Sequence, residues 1–104
     1  MVKEKYITVP KNEEGMNDYQ EGKEGTENME EFILPEEEFD TLDRHKVFDI
    51  INDKCGLLID IYESETVTAE QLKSVYKEIS LMKGIWLKAV NKAIEYGTCV
   101  YLDF

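Results

Sequence analysis

The sequence has little of what most catalytic and cofactor sites are built from. Among 104 residues there is one histidine, one tryptophan, two cysteines and two prolines. Cys55 and Cys99 form no CxxC pair and have no histidine at metal-ligand spacing, which sets aside the common zinc and dithiol motifs. Both sit in apolar stretches, where a thiol behaves as a small hydrophobe, so a reduced, cytoplasmic protein is expected. His45 lies between Arg44 and Lys46, with Asp49 four residues on. A surface pair on one helix face is the plain reading, because a catalytic histidine needs a nucleophile or an orienting acid beside it. The chain contains no Walker A sequence, no GxGxxG, no GxSxG and no HExxH, each of which carries a specific chemistry. It has no DxDxDG loop for calcium either. The expectation is a non-enzyme with no cofactor and no metal. No apolar run approaches the roughly 20 residues of a membrane span. The opening MVKEKYITVPK lacks the apolar centre of a signal peptide.

Acidic charge is what the chain has in excess. The length suits one domain, residues 1–104, with one modest core. The apolar fraction is 42%, ordinary for a folded protein, yet the net charge is −11. Residues 1–43 hold fourteen acids and four lysines, whereas residues 44–104 are close to balance, with nine acids and eight basic residues. An asymmetry of this kind argues against direct binding to nucleic acid, whose phosphates require Lys and Arg. It favours a protein partner with a basic surface, although acids also serve solubility alone.

Local patterns predict an α+β fold, with two or three amphipathic helices packed on a small sheet that includes the C-terminal strand. Tyr6 to Val9 (YITV) reads as a short strand ended by Pro10. Residues 11–31 read as a flexible acidic loop, rich in glycine and polar groups through residue 28 and without a period. Met29 to Leu34 gathers apolar residues before Pro35, where extended geometry is favoured. Pro35 followed by Glu36, Glu37 and Glu38 is a good helix start, because the acids face the positive end of the helix dipole. Apolar spacing of three and four then predicts a helix from Glu36 to about Glu63, in one piece or two, with Asp43 as a possible restart. Thr68 to Gln71 fits a capping box. The stripe beyond it, through Trp86 to Tyr96, makes either two helices divided at Gly84 or one bent helix, with Gly97 as C-cap. Thr98 to Phe104 alternates, with Val100, Leu102 and Phe104 on one face and Cys99, Tyr101 and Asp103 on the other.

Three stretches, FILPEEEFDTL (32–42), FDIINDKCGLLIDIYE (48–63) and AIEYGTCVYLDF (93–104), together resemble small acidic bacterial immunity proteins. Such proteins are encoded beside secreted toxins of the contact-dependent or polymorphic type and act as antitoxins in bacterial competition. The resemblance implies binding that blocks a toxin's active site or substrate groove, and a basic nuclease is the expected toxin. The residues expected at that interface are Glu36, Glu37, Glu38, Asp40, Asp60, Glu63 and Glu65, with Tyr19 or Tyr62 as apolar anchors, since interface hot spots favour tyrosine. Asp60, Glu63 and Glu65 are expected on the polar side of the long helix. Two other readings stay open. One is a phage-type DNA mimic of the anti-restriction or anti-CRISPR kind, against which the near-neutral C-terminal residues count. The other is a non-catalytic regulatory adaptor whose helices pair with another chain.

Overall fold

Alternating apolar residues near both ends of the chain build the centre of a sheet. In the computed structural model, which describes residues 4–61 and 63–104, β1 (Lys5–Pro10) pairs antiparallel with β4 (Cys99–Asp103). Tyr6 stands opposite Asp103, Ile7 opposite Leu102 and Thr8 opposite Tyr101. β2 (Met29–Leu34) adds to the free side of β1 and β3 (Glu65–Thr68) to the free side of β4, giving the order β2-β1-β4-β3. Successive side chains in a strand point to opposite faces, so this register sorts the sheet into two surfaces. Ile7, Val9, Leu34, Val67, Val100 and Leu102 all join one buried cluster on the inner face.

Helices supply the other side of that cluster. α2 (Glu36–Arg44), α3 (Val47–Cys55), α4 (Ala69–Ser74), α5 (Tyr76–Ile79) and α6 (Ile85–Tyr96) contribute Leu42, Phe48, Ile51, Leu72, Ile79, Trp86 and Val90 among others. Trp86 is 1% exposed and meets Phe48 edge to face, and its indole N–H donates to the Ile79 carbonyl at 3.0 Å. A buried indole normally finds such a partner. The fold is α+β, as expected, but with more pieces than the sequence suggests: six helices and four strands among the described residues. None of these helices is long and apolar enough to cross a membrane.

The extra pieces have local causes. Of the two forms expected for the helix from Glu36, the two-piece one is present, and the break falls at Lys46 rather than Asp43. Lys46 adopts a left-handed conformation, φ 60°, and its N–H bonds back to the Asp43 carbonyl. The second piece stops at Cys55, so Asp60 and Glu63 stand on a loop and Glu65 opens β3; none of them lies on a helix. His45 follows the end of α2 while Asp49 belongs to α3, so the two do not share a helix face. The Thr68 capping box forms as expected, with the Gln71 N–H donating to Thr68 Oγ1 at 3.2 Å and the Thr68 N–H to Gln71 Oε1 at 2.9 Å. Beyond it the chain is interrupted at Val75 and again after Ile79. Gly84 begins α6 instead of capping a preceding helix. A Cβ there would lie 2.6 Å from a Glu38 carboxylate oxygen, so only glycine lets that carboxylate approach.

The segment expected as a flexible loop also carries structure: α1 (Glu13–Gln20) and the first residues of β2. Asn12 caps α1, its side-chain oxygen accepting from the Gly15 N–H at 2.9 Å, and Glu13 and Glu14 occupy the first turn. This is an ordinary N-terminal signal. Gly15 permits close packing, because a Cβ there would fall 2.1 Å from the Asn28 carbonyl oxygen.

Candidate functional site

The outer face of the sheet is where α1 sits. β1 presents Tyr6 and Thr8 there, β4 presents Tyr101 and Asp103, and β2 presents Met29 and Glu31; Thr8 is registered opposite both Tyr101 and Glu31. Tyr19, from the last turn of α1, stacks on Tyr101 with ring centroids 3.8 Å apart and planes 9° from parallel. Its hydroxyl donates to Asp103, with both carboxylate oxygens at 3.0 Å, and the Ser64 hydroxyl donates to the same carboxylate. Burial, with the Asp103 hydrogen bond second, pushes the Tyr19 hydroxyl up to about 12. The helix is thereby fixed to the sheet over a span of 84 residues in sequence.

After α1 the chain turns through Gly22, Lys23 and Glu24 before returning as β2. Asp18 braces this turn by accepting from the Thr26 hydroxyl at 2.9 Å and the Asn28 amide at 3.3 Å, and these two hydrogen bonds hold its carboxyl below the usual range. Lys23 reaches back to Glu21 at 3.3 Å and Asp18 at 3.8 Å. Between this turn, α1 and the sheet lies an open cleft of about 530 Å³. Tyr6, Thr8, Tyr19, Met29, Glu24, Glu31 and Asp103 all line it, together with Gly22 and Lys23.

The cleft is electronegative. The Tyr6 hydroxyl donates to Glu4, and that bond raises its pKa; the charges of Glu4, Glu24 and Glu31 act in the same direction. Among the described residues, no Lys, Arg or His stands within ion-pair distance of Glu4, Glu24, Glu31 or Asp103. Thr8 is 6% exposed, and its hydroxyl has no hydrogen-bond partner among the described residues. No buried side-chain nitrogen or oxygen among the described residues lacks a partner, so this hydroxyl is open to the cleft that Thr8 lines.

The acids expected at an interface are not brought together in one place. Glu36 pairs with Lys5 at 3.2 Å, and the ammonium also lies 4.7 Å from the centroid of the Phe39 ring. Lys5 is buried, so Glu36 is its counter-charge. Glu38 accepts from the backbone N–H groups of Ile85 and Trp86 at 3.1 and 2.7 Å and so caps α6 from a distance. Glu37 and Asp40 are exposed on α2. Asp60 accepts from the Glu63 N–H, and Glu65 accepts from the N–H groups of Leu58 and Thr66, so both organise the loop after α3. Tyr62 lies outside the described residues. Tyr19 is half-buried and stacked, not an exposed anchor. Sequence reasoning missed Glu4, Tyr6, Thr8, Glu24 and Glu31 as neighbours. The outward-facing alternation of β1 was the signal for Tyr6 and Thr8.

Chemically the cleft offers carboxylate and hydroxyl acceptors beside aromatic surface. Among the described residues, no cluster of three or more His, Cys, Asp or Glu is placed to hold a metal ion. Compared with protein families, curated proteins and solved structures, the chain shows no match.

Proposed function

We propose that this chain is a non-catalytic binding protein that occupies a basic surface of another protein, in the manner of an immunity protein neutralising a toxin domain. One observation carries the reading: the carboxylates of Glu24, Glu31 and Asp103 line one cleft, Glu4 bonds the Tyr6 hydroxyl on its wall, and none of the four is within ion-pair distance of a cation of the described chain. Like charges held together repel, and a cationic partner relieves that repulsion while the field speeds its approach. A nuclease toxin is a fitting target because a surface that binds phosphate is basic. Covering that surface blocks the substrate without any chemistry by the inhibitor. The charge asymmetry of the chain and its resemblance to acidic immunity proteins support the same reading.

The test is co-purification of the tagged protein from its native host at low salt, mass spectrometry of what is retained, and calorimetry on the recovered pair as salt rises. The expected result is a basic protein whose activity is suppressed on binding and whose affinity falls with salt, because exposed charge pairs are screened. A partner with an acidic contact surface, or an affinity indifferent to salt, would contradict the proposal. Capture of a host DNA-binding enzyme would replace the immunity reading with the DNA-mimic one.

A further inference from the structure

We infer that the cleft between α1 and the sheet is a receptor for a single arginine side chain of the basic partner. The inference rests on the proposed function and deepens it, because it names the place and the group that would be bound.

The lining matches that group better than it matches a generic cation. A guanidinium is planar, stays charged, and carries five N–H donors in a fixed fork, which suits acceptors on more than one wall. Here the acceptors are on three elements: Glu31 on β2, Glu24 on the turn after α1, and Thr8 on β1. Thr8 is largely buried as a residue and lines the cleft, and its hydroxyl, open to the cleft, has no hydrogen-bond partner among the described residues. Facing the cleft, that hydroxyl is left to solvent, and a donor entering the cleft takes the place of that solvent as its partner. Tyr6, Tyr19 and Met29 give aromatic and apolar surface for an alkyl stem and a flat cation, which arginine uses more readily than lysine. The cleft volume of about 530 Å³ falls within the range of small-ligand sites.

The local cation does not already fill this role. Lys23 lines the cleft, but its ammonium is turned to Glu21 and Asp18, and Asp18 is also tied to Thr26 and Asn28. The acidic walls also indicate the source of the guanidinium. Free arginine brings an α-carboxylate into a negative cleft, whereas an arginine within a polypeptide brings none.

The experiment is a titration of the full chain, followed by nuclear magnetic resonance, with a short blocked peptide containing one arginine. Its controls are the same peptide with citrulline, which keeps the shape and removes the charge, the same peptide with lysine, and free arginine. The arginine peptide is expected to bind at least about tenfold more tightly than the citrulline peptide, since charge-assisted hydrogen bonds are roughly twice as strong as neutral ones. Lysine and free arginine are expected to bind more weakly than the arginine peptide. The double variant E24Q/E31Q changes exposed side chains and leaves the core untouched. It should lower affinity for the arginine peptide about tenfold, a loss of roughly 1.4 kcal/mol, while E37Q/D40Q on α2 should not. Equal binding of citrulline, tighter binding of free arginine or lysine, or equal losses in both double variants would overturn the inference. If a basic protein partner is captured and its affinity ignores E24Q/E31Q, the cleft inference fails while the binding-protein reading stands. If the arginine peptide binds as expected and the captured partner proves not to be basic, the reverse holds.

Discussion

The two faces of the sheet are built from the same strands and differ in almost everything else. On the inner face, Ile7, Val9, Val100 and Leu102 are essentially inaccessible and meet five helices through aliphatic and aromatic contacts. On the outer face, one helix covers part of the sheet through a stacked tyrosine pair and a shared carboxylate, and an acidic cleft is left open beside it. The inner face gains stability by removing apolar surface from water. The outer face gathers like charges near Tyr6, which opposes stability and favours an incoming cation, and it leaves the Thr8 hydroxyl open at the cleft to receive a donor. The difference separates residues that hold the fold from residues available to a partner.

The largest break in this contrast should come from Trp86→Ala. Removing a fully buried indole should cost about 3–5 kcal/mol, read from urea unfolding, while the folded fraction keeps its affinity at the cleft. Next is Glu38→Ala, which leaves the first N–H groups of α6 without their carboxylate. A loss of about 1–2 kcal/mol is expected, in line with other helix caps. A surface acid that served only partner binding would show no such loss.

Tyr19→Phe acts on the outer face and should cost about 1 kcal/mol, below the roughly 1.5–3 kcal/mol of buried hydrogen bonds to charged groups because the ring is only half-buried. Its pH signature has a definite sign. The folded state raises the hydroxyl from its ordinary 10.0 to about 12, so it favours the protonated form. That contribution is fully present below pH 10 and is lost as pH rises through about 12. Unfolding curves between these values should fall more steeply for the native protein than for Tyr19→Phe, and ultraviolet titration should show one late-ionising tyrosine fewer in the variant. The smallest stability effect is expected for E24Q/E31Q, within about 0.5 kcal/mol of the native protein, together with the loss of arginine-peptide affinity described above. A large destabilisation by that pair would erase the distinction between the faces.

The inner face was largely legible in the sequence, and the outer face was not. Val100, Leu102 and Phe104 declare their face by strict alternation, and Thr68 with Gln71 declares a helix start by spacing alone. These signals are local. The break at Lys46 depends on a left-handed residue that is not glycine, which composition does not announce. α1 was obscured by glycine and charge, although Asn12, two acids, Met16 and Tyr19 carry a cap and a three-residue spacing. β3 is only four residues and was overshadowed by the apolar run before it. The cleft was hidden for a different reason. Glu31 meets Thr8, and Asp103 meets Tyr6, only through strand register across the chain, and no local pattern encodes that pairing. The acids that stood out, Glu36 and Glu38, stood out because helix starts favour them, and the structure uses both internally.

Chemical-shift mapping of the native protein during titration with the arginine peptide tests the central claim most directly. The account predicts that perturbations converge on the amides of Tyr6, Thr8, Glu24 and Glu31 and on the ring of Tyr19, with α2 around Glu37 and Asp40 and the Asp60–Glu65 loop unchanged. Perturbations centred on α2 or on that loop, with the cleft silent, would contradict it.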